Sequence, residues 1–516
     1  MLLRRQPLGA EPRHVGVGSV AMALLAGALH TAAFAPMDAW WLQTLALAAL
    51  VGCLAGRTPR QGAVLGLAFG FAWLCTGLWW LFISMHRYGQ LPVPLAGLAV
   101  ALLSLGLAIY VAVACACYAR WRTGRPLIDA TLFAACWLVA ELARATWLTG
   151  FPWLAAGYAH TSGPLAALAP WLGVYGLGAL SAGVAAAMAS AAAQARRGSR
   201  LALVPVAALT LAVAAGHWLP RDFTHSTGSL NVSLIQPNVA QDLKFDPERM
   251  AENFERLAQD IEAARGSLVV TPESVVPIPL VALAPAQWQR LQRAVAAPGR
   301  AALVGIFIGD DDSGYVNALL ALSATSDGQG ATAYRYGKQH LLPFGEFLPP
   351  GLGWLVRAMN IPLENQGRGY NSAPFVMGAQ RLRPLICYED LFGEDFVGSV
   401  VGDQAATILV NASNLAWFGN VMVQDQHLQF SRMRALEFQR PFVRATNTGA
   451  TTVIDHHGRV THRLAADLRG TLDAQVEGRI GSTPYARWLA AWGLAPLWAL
   501  ALLGIAVVAL CRRADT

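Results

Sequence analysis

Glu273, Lys338 and Cys387 are three residues whose types can do covalent chemistry together. A thiol is the best side-chain nucleophile near neutral pH, but only as the thiolate. A carboxylate within hydrogen-bonding reach takes its proton, and a nearby ammonium steadies the resulting anion. The same ammonium, with a backbone N–H, steadies the oxyanion formed when the thiolate attacks a carbonyl. A Glu–Lys–Cys set therefore suits acyl transfer through a thioester. Cys387 stands out in "RPLICYEDLF" (383–392), because the other six cysteines lie in long hydrophobic runs. Lys338 stands out by arithmetic: the chain has two lysines, Lys244 and Lys338, beside 36 arginines. A chain so biased keeps a lysine where a compact charge or an adjustable pKa is needed. Cys387 has no cysteine partner in its own region, and no Cys/His cluster of zinc-binding spacing surrounds it.

These groups need elements that hold them at strand ends. "SLVVTPES", "AALVGIFIG", "RLRPLICYE" and "ATILVNASN" are buried-type strands ending in polar residues, and "LNVSLIQ" is another strand. "DPERMAENFERLAQDIEAARG" is a helix with Asp246 as N-cap, Pro247 at its first position and Gly266 past its end. A second helical stretch covers about 422–439 and precedes "PFVRATNTGATTVID". The alternation predicts an α/β domain from about 221 to 485.

The rest of the chain is of another kind. It is 55% hydrophobic overall and only 13% charged, with mean hydropathy +0.41, whereas soluble domains carry about 25% charged residues. Spanning a bilayer takes about 20 mostly apolar residues per helix. Eight candidate spans occur, near 15–35, 39–56, 62–85, 95–118, 127–147, 170–194, 201–219 and 488–511. The first, behind Arg4 and Arg5 and ending "TAAFA", has the outline of a signal peptide, but a further span follows at once. Arginines mark alternate loops: Arg57 and Arg60, then Arg120, Arg122 and Arg125, then Arg196, Arg197 and Arg200, with Arg512 and Arg513 in the tail. The intervening loops offer only Arg87 and Arg144. Positive loops stay in the cytoplasm, which predicts both termini there and the α/β domain outside. Residues 221–487 carry net charge −3 and the remainder +10, so the overall +7 belongs to the cytoplasmic loops. A nucleic-acid partner is not expected.

Together "TPES", "GKQHLLPFGEFLP", "ICYEDLF" and "NASNLAWFG" resemble the nitrilase superfamily. Seven spans before such a domain and one after it are similar to the apolipoprotein N-acyltransferases of the bacterial inner membrane. "GFPWLAAGY", "QDLKFDP" and "RMRALEFQRPFVRATNTG" support that narrower likeness. The resemblance implies an extracytoplasmic four-layer αββα sandwich attached to an eight-span helical bundle. It divides the chain into a seven-helix region 1–220, a catalytic domain 221–485 and a C-terminal helix and tail 486–516. It implies Glu273 as general base, Lys338 as stabiliser of the tetrahedral intermediate and Cys387 as acyl carrier. Glu346 would orient the lysine or help proton transfer, while Tyr388 and Glu389 shape the nucleophile's surroundings. It further implies a phospholipid acyl donor and a diacylglyceryl-modified apolipoprotein acceptor, both held among membrane lipids, and no metal or organic cofactor. In "LKFDP" Phe245 stands where the family commonly has Trp, which keeps an aromatic contact but no indole N–H.

Four aromatic residues are candidates for substrate contact: Phe245, Trp354, Trp417 and Phe418. Trp354 lies in the apolar stretch 347–363, which either dips into lipid and gates acyl chains or packs into the core. Trp417 and Phe418 either line an acyl pocket or pack internally. Glu141 and Arg144, three apart on the fifth span, are spaced to pair, in a structural or headgroup-binding role. A membrane-tethered amidase would use the same triad with water as acceptor.

Overall fold

Buried β runs make the sheets and amphipathic or wholly apolar runs make the helices, as the patterning requires. The computed structural model describes residues 15–196, 198, 207, 214, 218–312, 314–323, 334–348, 366–369 and 371–514. Two six-stranded sheets form the centre of the α/β region. In the first the order is β12-β1-β2-β3-β4-β5, from β1 (Thr224–Gln236), β2 (Leu268–Val270), β3 (Ala301–Asp310), β4 (Gly314–Ser323), β5 (Arg335–Gly337) and β12 (Gly470–Gly481). In the second it is β11-β10-β9-β8-β7-β6, from β6 (Phe375–Met377), β7 (Gln380–Ile386), β8 (Ile408–Ser413), β9 (Phe442–Thr446), β10 (Thr452–Ile454) and β11 (Val460–Arg463). β1, β2 and β3 run parallel, as do β7, β8 and β9, and antiparallel strands flank each trio.

The sheets meet face to face through Val232, Leu234, Val270 and Leu303 of one and Leu382, Ile408, Val410 and Val443 of the other. The outer face of the first sheet packs on two amphipathic helices, through Leu257, Ile261, Trp288 and Leu291. The second sheet's outer face packs on a third helix, Val423–Phe438. The layering is therefore αββα, as the sequence resemblance implies. The Asp246 carboxylate accepts from the N–H of Glu248 at 3.0 Å, capping Pro247–Ala263 as read from the sequence.

Helix Val423–Phe438 lacks an amphipathic stripe because it is buried on every side, between the sheet and the apolar helices. Those helices are α1 (Val17–Thr31), α2 (Trp40–Leu54), α3 (Pro59–Gly77), α4 (Val93–Trp121), α5 (Pro126–Thr146) and α6 (Ala169–Ala195). α4, α5, α6 and a C-terminal helix, Ala495–Ala514, are long and apolar enough to cross a membrane; α1 and α2, 15 residues each, are shorter. The expected span 201–219 lies mostly outside the described residues.

Two expected spans are not continuous helices. The run 62–85 breaks after Gly77, where α3 and Leu81–Tyr88 meet at 61°. At the break the Trp80 indole donates to the freed carbonyl of Gly77 and to Gln426, and Leu154 fills the space a Cβ at 77 would need. The run 488–511 divides at Gly493, whose φ is +56°, into Pro484–Trp492 and Ala495–Ala514. α3 packs closely on α4 along Gly62, Gly66 and Gly70, where any Cβ would meet Cys115, Val111 or Ala108.

Candidate active site

Each reactive group sits just past the end of a strand. Glu273 follows β2, Lys338 follows β5 and Cys387 follows β7. All three are buried, Cys387 at 9% exposure, Glu273 at 7% and Lys338 at 1%. The Lys338 Nζ donates to Glu346 Oε1 at 2.7 Å and to Glu273 Oε1 at 3.1 Å. An ammonium has three protons, and the third has no protein acceptor among the described residues. Asn317 Nδ2 and the N–H of Asn414 also donate to Glu273, at 2.7 and 3.0 Å, and the N–H of Leu342 to Glu346 at 2.8 Å. Both carboxylates are thus held by donors from at least two chain segments.

The electrostatics follow from burial and neighbours. Burial alone would lower Lys338, but Glu273 and Glu346 hold it well above the usual ammonium value. Burial raises Glu346, with Lys338 opposing. Burial, then the charge of Glu273, pushes the Cys387 thiol well above its ordinary value, while Lys338 pulls it down. Cys387 therefore rests as a neutral thiol, and such a thiol is reactive only where a base takes its proton.

The backbone is strained where it carries these groups. Cys387 has φ +50° and Ser274, next to Glu273, φ +43°, in the left-handed region that side chains disfavour. Close packing permits the Glu273 turn: a Cβ on Gly305 of β3 would lie 2.1 Å from the carbonyl oxygen of Pro272 and 2.7 Å from Ser274 N.

Glu389 is the clamp between the Cys387 and Lys338 loops. Its Oε2 accepts from Tyr336 Oη and from Ile386 N, each at 2.7 Å, and its Oε1 from Gln339 N at 2.6 Å and His340 N at 3.2 Å. One carboxylate so ties the residue before Cys387 to the two residues after Lys338. Tyr388 turns toward the apolar helices, donating to the carbonyl of Gly150 at 3.3 Å and stacking on Trp153.

Residues 26–187 match the apolipoprotein N-acyltransferase N-terminal domain, and 231–485 the carbon-nitrogen hydrolase domain. An apolipoprotein N-acyltransferase of Verminephrobacter eiseniae is 46% identical over 483 residues, covering 88% of this chain and 89% of that protein. One of Ralstonia nicotianae is 43% identical over 501 residues, covering 95% and 93%. The chain belongs to the apolipoprotein N-acyltransferase family. A CN-hydrolase superfamily structure from Xanthomonas campestris aligns at 16% identity and TM-score 0.36, over 52% of this chain and 96% of its own.

In this member of the apolipoprotein N-acyltransferase family the remaining sequence candidates fall in different places. Phe418 packs on the cluster around Cys387 and meets Trp80 edge-on at 4.7 Å, and Trp417 meets Tyr88 at 5.4 Å. The loop after β8 thus joins the surroundings of Cys387 to the bent element Leu81–Tyr88. Phe245 is 47% exposed, outside the cluster, with the Lys244 ammonium 5.8 Å from its ring. Trp354 and the stretch 349–363 lie outside the described residues. Glu141 and Arg144 do pair, at 3.9 Å, and both also hold the 150–158 loop: Arg144 donates to the carbonyls of Phe151 and Trp153, and Glu141 accepts from Ala156 N.

Three further residues belong to the site: Asn317, Asn414 and Lys244. Asn317, inside β4, carried no signal, and Asn414 none beyond its place in "NASNLAWFG" just after β8. Lys244 did: it is the second of two lysines, and its Nζ reaches the carbonyl of Glu273 at 3.2 Å and Ser274 Oγ at 2.8 Å.

Proposed function

We propose that this protein transfers an acyl chain from a phospholipid, through a thioester on Cys387, to the N-terminal amine of a diacylglyceryl-cysteine lipoprotein. The observation carrying this reading is a thiol sharing one buried cluster with an ammonium and two carboxylates, beside an aromatic loop that leads to membrane-type helices. The acyltransferase names of its relatives support it.

In the first half-reaction Glu273 takes the Sγ proton as sulfur attacks the ester carbonyl of the phospholipid. The free N–H of Lys338 meets the developing oxyanion. On collapse the ester C–O bond breaks, and the lysophospholipid oxygen leaves with the proton from Glu273. In the second half the lipoprotein amine attacks the thioester, Glu273 receives its proton, and the sulfur leaves as a thiolate steadied by Lys338. An amide forms and Cys387 is reprotonated. Glu346 holds Lys338 in place. Glu389 fixes the distance between the Cys387 and Lys338 loops, and Tyr388 anchors the nucleophile's turn to the 150–158 loop. Trp417 and Phe418, on Trp80 and Tyr88, offer the acyl chain an apolar approach to Cys387, with Phe245 and Trp354 as further lipid contacts.

The proposed arrangement is a multi-pass protein of the bacterial inner membrane. Residues 1–220 would supply seven spans, 221–485 a periplasmic catalytic domain and 486–516 an eighth span and tail, with both termini cytoplasmic. The arginine-marked loops support this orientation.

Incubation with phospholipid and a synthetic peptide bearing an N-terminal diacylglyceryl-cysteine tests the transfer. The expected product is a peptide heavier by one acyl group and resistant to hydroxylamine, as an amide is. Unchanged peptide with accumulating free fatty acid would favour hydrolysis instead.

A further inference from the structure

Lys244 sits on the short helix Gln241–Lys244, before the first domain helix, yet it is only 5% exposed. Its Nζ passes behind the Glu273 turn, donating to the carbonyl oxygen of Glu273 and to Ser274 Oγ. Both lysines of the chain therefore converge on one glutamate from opposite sides, Lys338 on its carboxylate and Lys244 on its backbone. Charge counting gives this a purpose. Glu273 and Glu346 place two negative charges in a buried cluster, and Lys338 balances only one. A second ammonium behind the Glu273 turn offsets the other charge, as buried charges need partners.

We propose that Lys244 is a positioning residue of this site, pinning the left-handed Ser274 turn that aims Glu273 and placing a second ammonium against a buried cluster that holds two carboxylates. The inference rests on the reading of Glu273 as the base that activates Cys387. With Lys244 charged, the cluster holds two ammoniums, two carboxylates and a neutral thiol.

The surroundings of Lys244 suit this role. Burial lowers it to about 8, while Glu273 and Cys387 pull it back up, so it is mostly protonated at neutral pH. The charged or titratable groups facing it are Glu273 and Cys387, with Lys338 and Glu346 beyond Glu273. On its other side is a cavity of about 230 Å³, lined by Val239, Met250, Phe254, Val276 and Ile278 among others. Among the described residues that line it, only Lys244 and Glu273 are titratable.

The test is alkylation of Cys387 by iodoacetamide in the full-length protein in detergent micelles, followed by peptide mass spectrometry from pH 5.5 to 9.5. Lys244→Met is expected to move the midpoint up by about one pH unit and to slow the reaction at pH 7 about tenfold, the rate equivalent of that shift. Lys244→Arg, with cavity space beside it, keeps the charge and is expected to keep the wild-type midpoint. Ser274→Ala removes one acceptor but not the charge, and is expected to do the same. A Lys244→Met profile lowered evenly at every pH, or not at all, overturns the proposal. Acylation by phospholipid, followed on the same samples, separates the two readings. Wild-type alkylation with no acylation would refute the phospholipid donor while leaving the role of Lys244 standing.

Discussion

At the scale of single residues, a buried ammonium between two carboxylates decides what the thiol can do. General-base assistance contributes on the order of 10²–10⁴ in rate, so Glu273→Gln is expected to slow Cys387 acylation by that factor in single-turnover measurements. Glu346→Gln is expected to cost less, because Lys338 keeps its contact with Glu273. Lys244 carries a stability prediction of opposite sign to its proposed function. Its folded pKa is depressed, from 10.5 to about 8. Between those values the unfolded chain binds more protons, so stability rises with pH across that window and the cost of burying the charge is in full force below pH 8. That cost is about 3 kcal/mol at most, from the size of the shift. Lys244→Met is therefore expected to raise the thermal midpoint at pH 7 and to lose that advantage by about pH 10. That Glu273, Lys338, Glu346, Cys387 and Glu389 lie near one another was an expectation of the quoted motifs, with Cys387 marked also by its place outside the apolar helical runs and Lys338 by the scarcity of lysine. Lys244 was legible only as a count, since its approach to Glu273 depends on a chain path of 29 residues.

At the scale of elements, the site is held by turns rather than by the regular structures they join. β3 presents Gly305 so that the Glu273 turn can lie directly on it. Gly305→Ala would drive that turn aside, at about 1–3 kcal/mol for overpacking. The expected result is a large loss of acylation with a small fall in thermal midpoint. Loss of folding, with no soluble protein at all, would show the turn to be structural first. β2, β3, β7 and β8 were legible because buried parallel strands read as unbroken apolar runs. β12 was not: it is an antiparallel outer strand whose exposed positions carry charge, and its pairing with β1 spans the whole domain. The amphipathic Pro247–Ala263 was read with its cap, whereas the break after Gly77 was not. That break depends on Leu154, Trp80 and Gln426, which come from three distant parts of the chain.

At the scale of the whole molecule, the domain is built into the apolar helices rather than tethered to them. Helix Val423–Phe438 carries the joint: Gln426 meets the indoles of Trp80 and Trp153, and Glu437 accepts from Val174 N while paired with Arg434. Removing one partner of a buried pair costs about 3–5 kcal/mol. Arg434→Met is expected to lower the thermal midpoint and acylation together; an unchanged midpoint would mean that the joint is not stabilising. The orientation has its own check. An impermeant maleimide should label the exposed native Cys511 only from the cytoplasmic face, and a cysteine placed at exposed Asp403 only from the outside. Composition made the membrane region legible, but it could not show that Tyr388, next to the nucleophile, rests on a loop between two apolar helices.

Intact-protein mass spectrometry after incubation with phospholipid alone looks for the thioester itself. A mass gain of one acyl chain is expected, removed by hydroxylamine and absent from Cys387→Ser. No adduct on the wild-type protein, or an equal adduct on Cys387→Ser, would contradict the thioester.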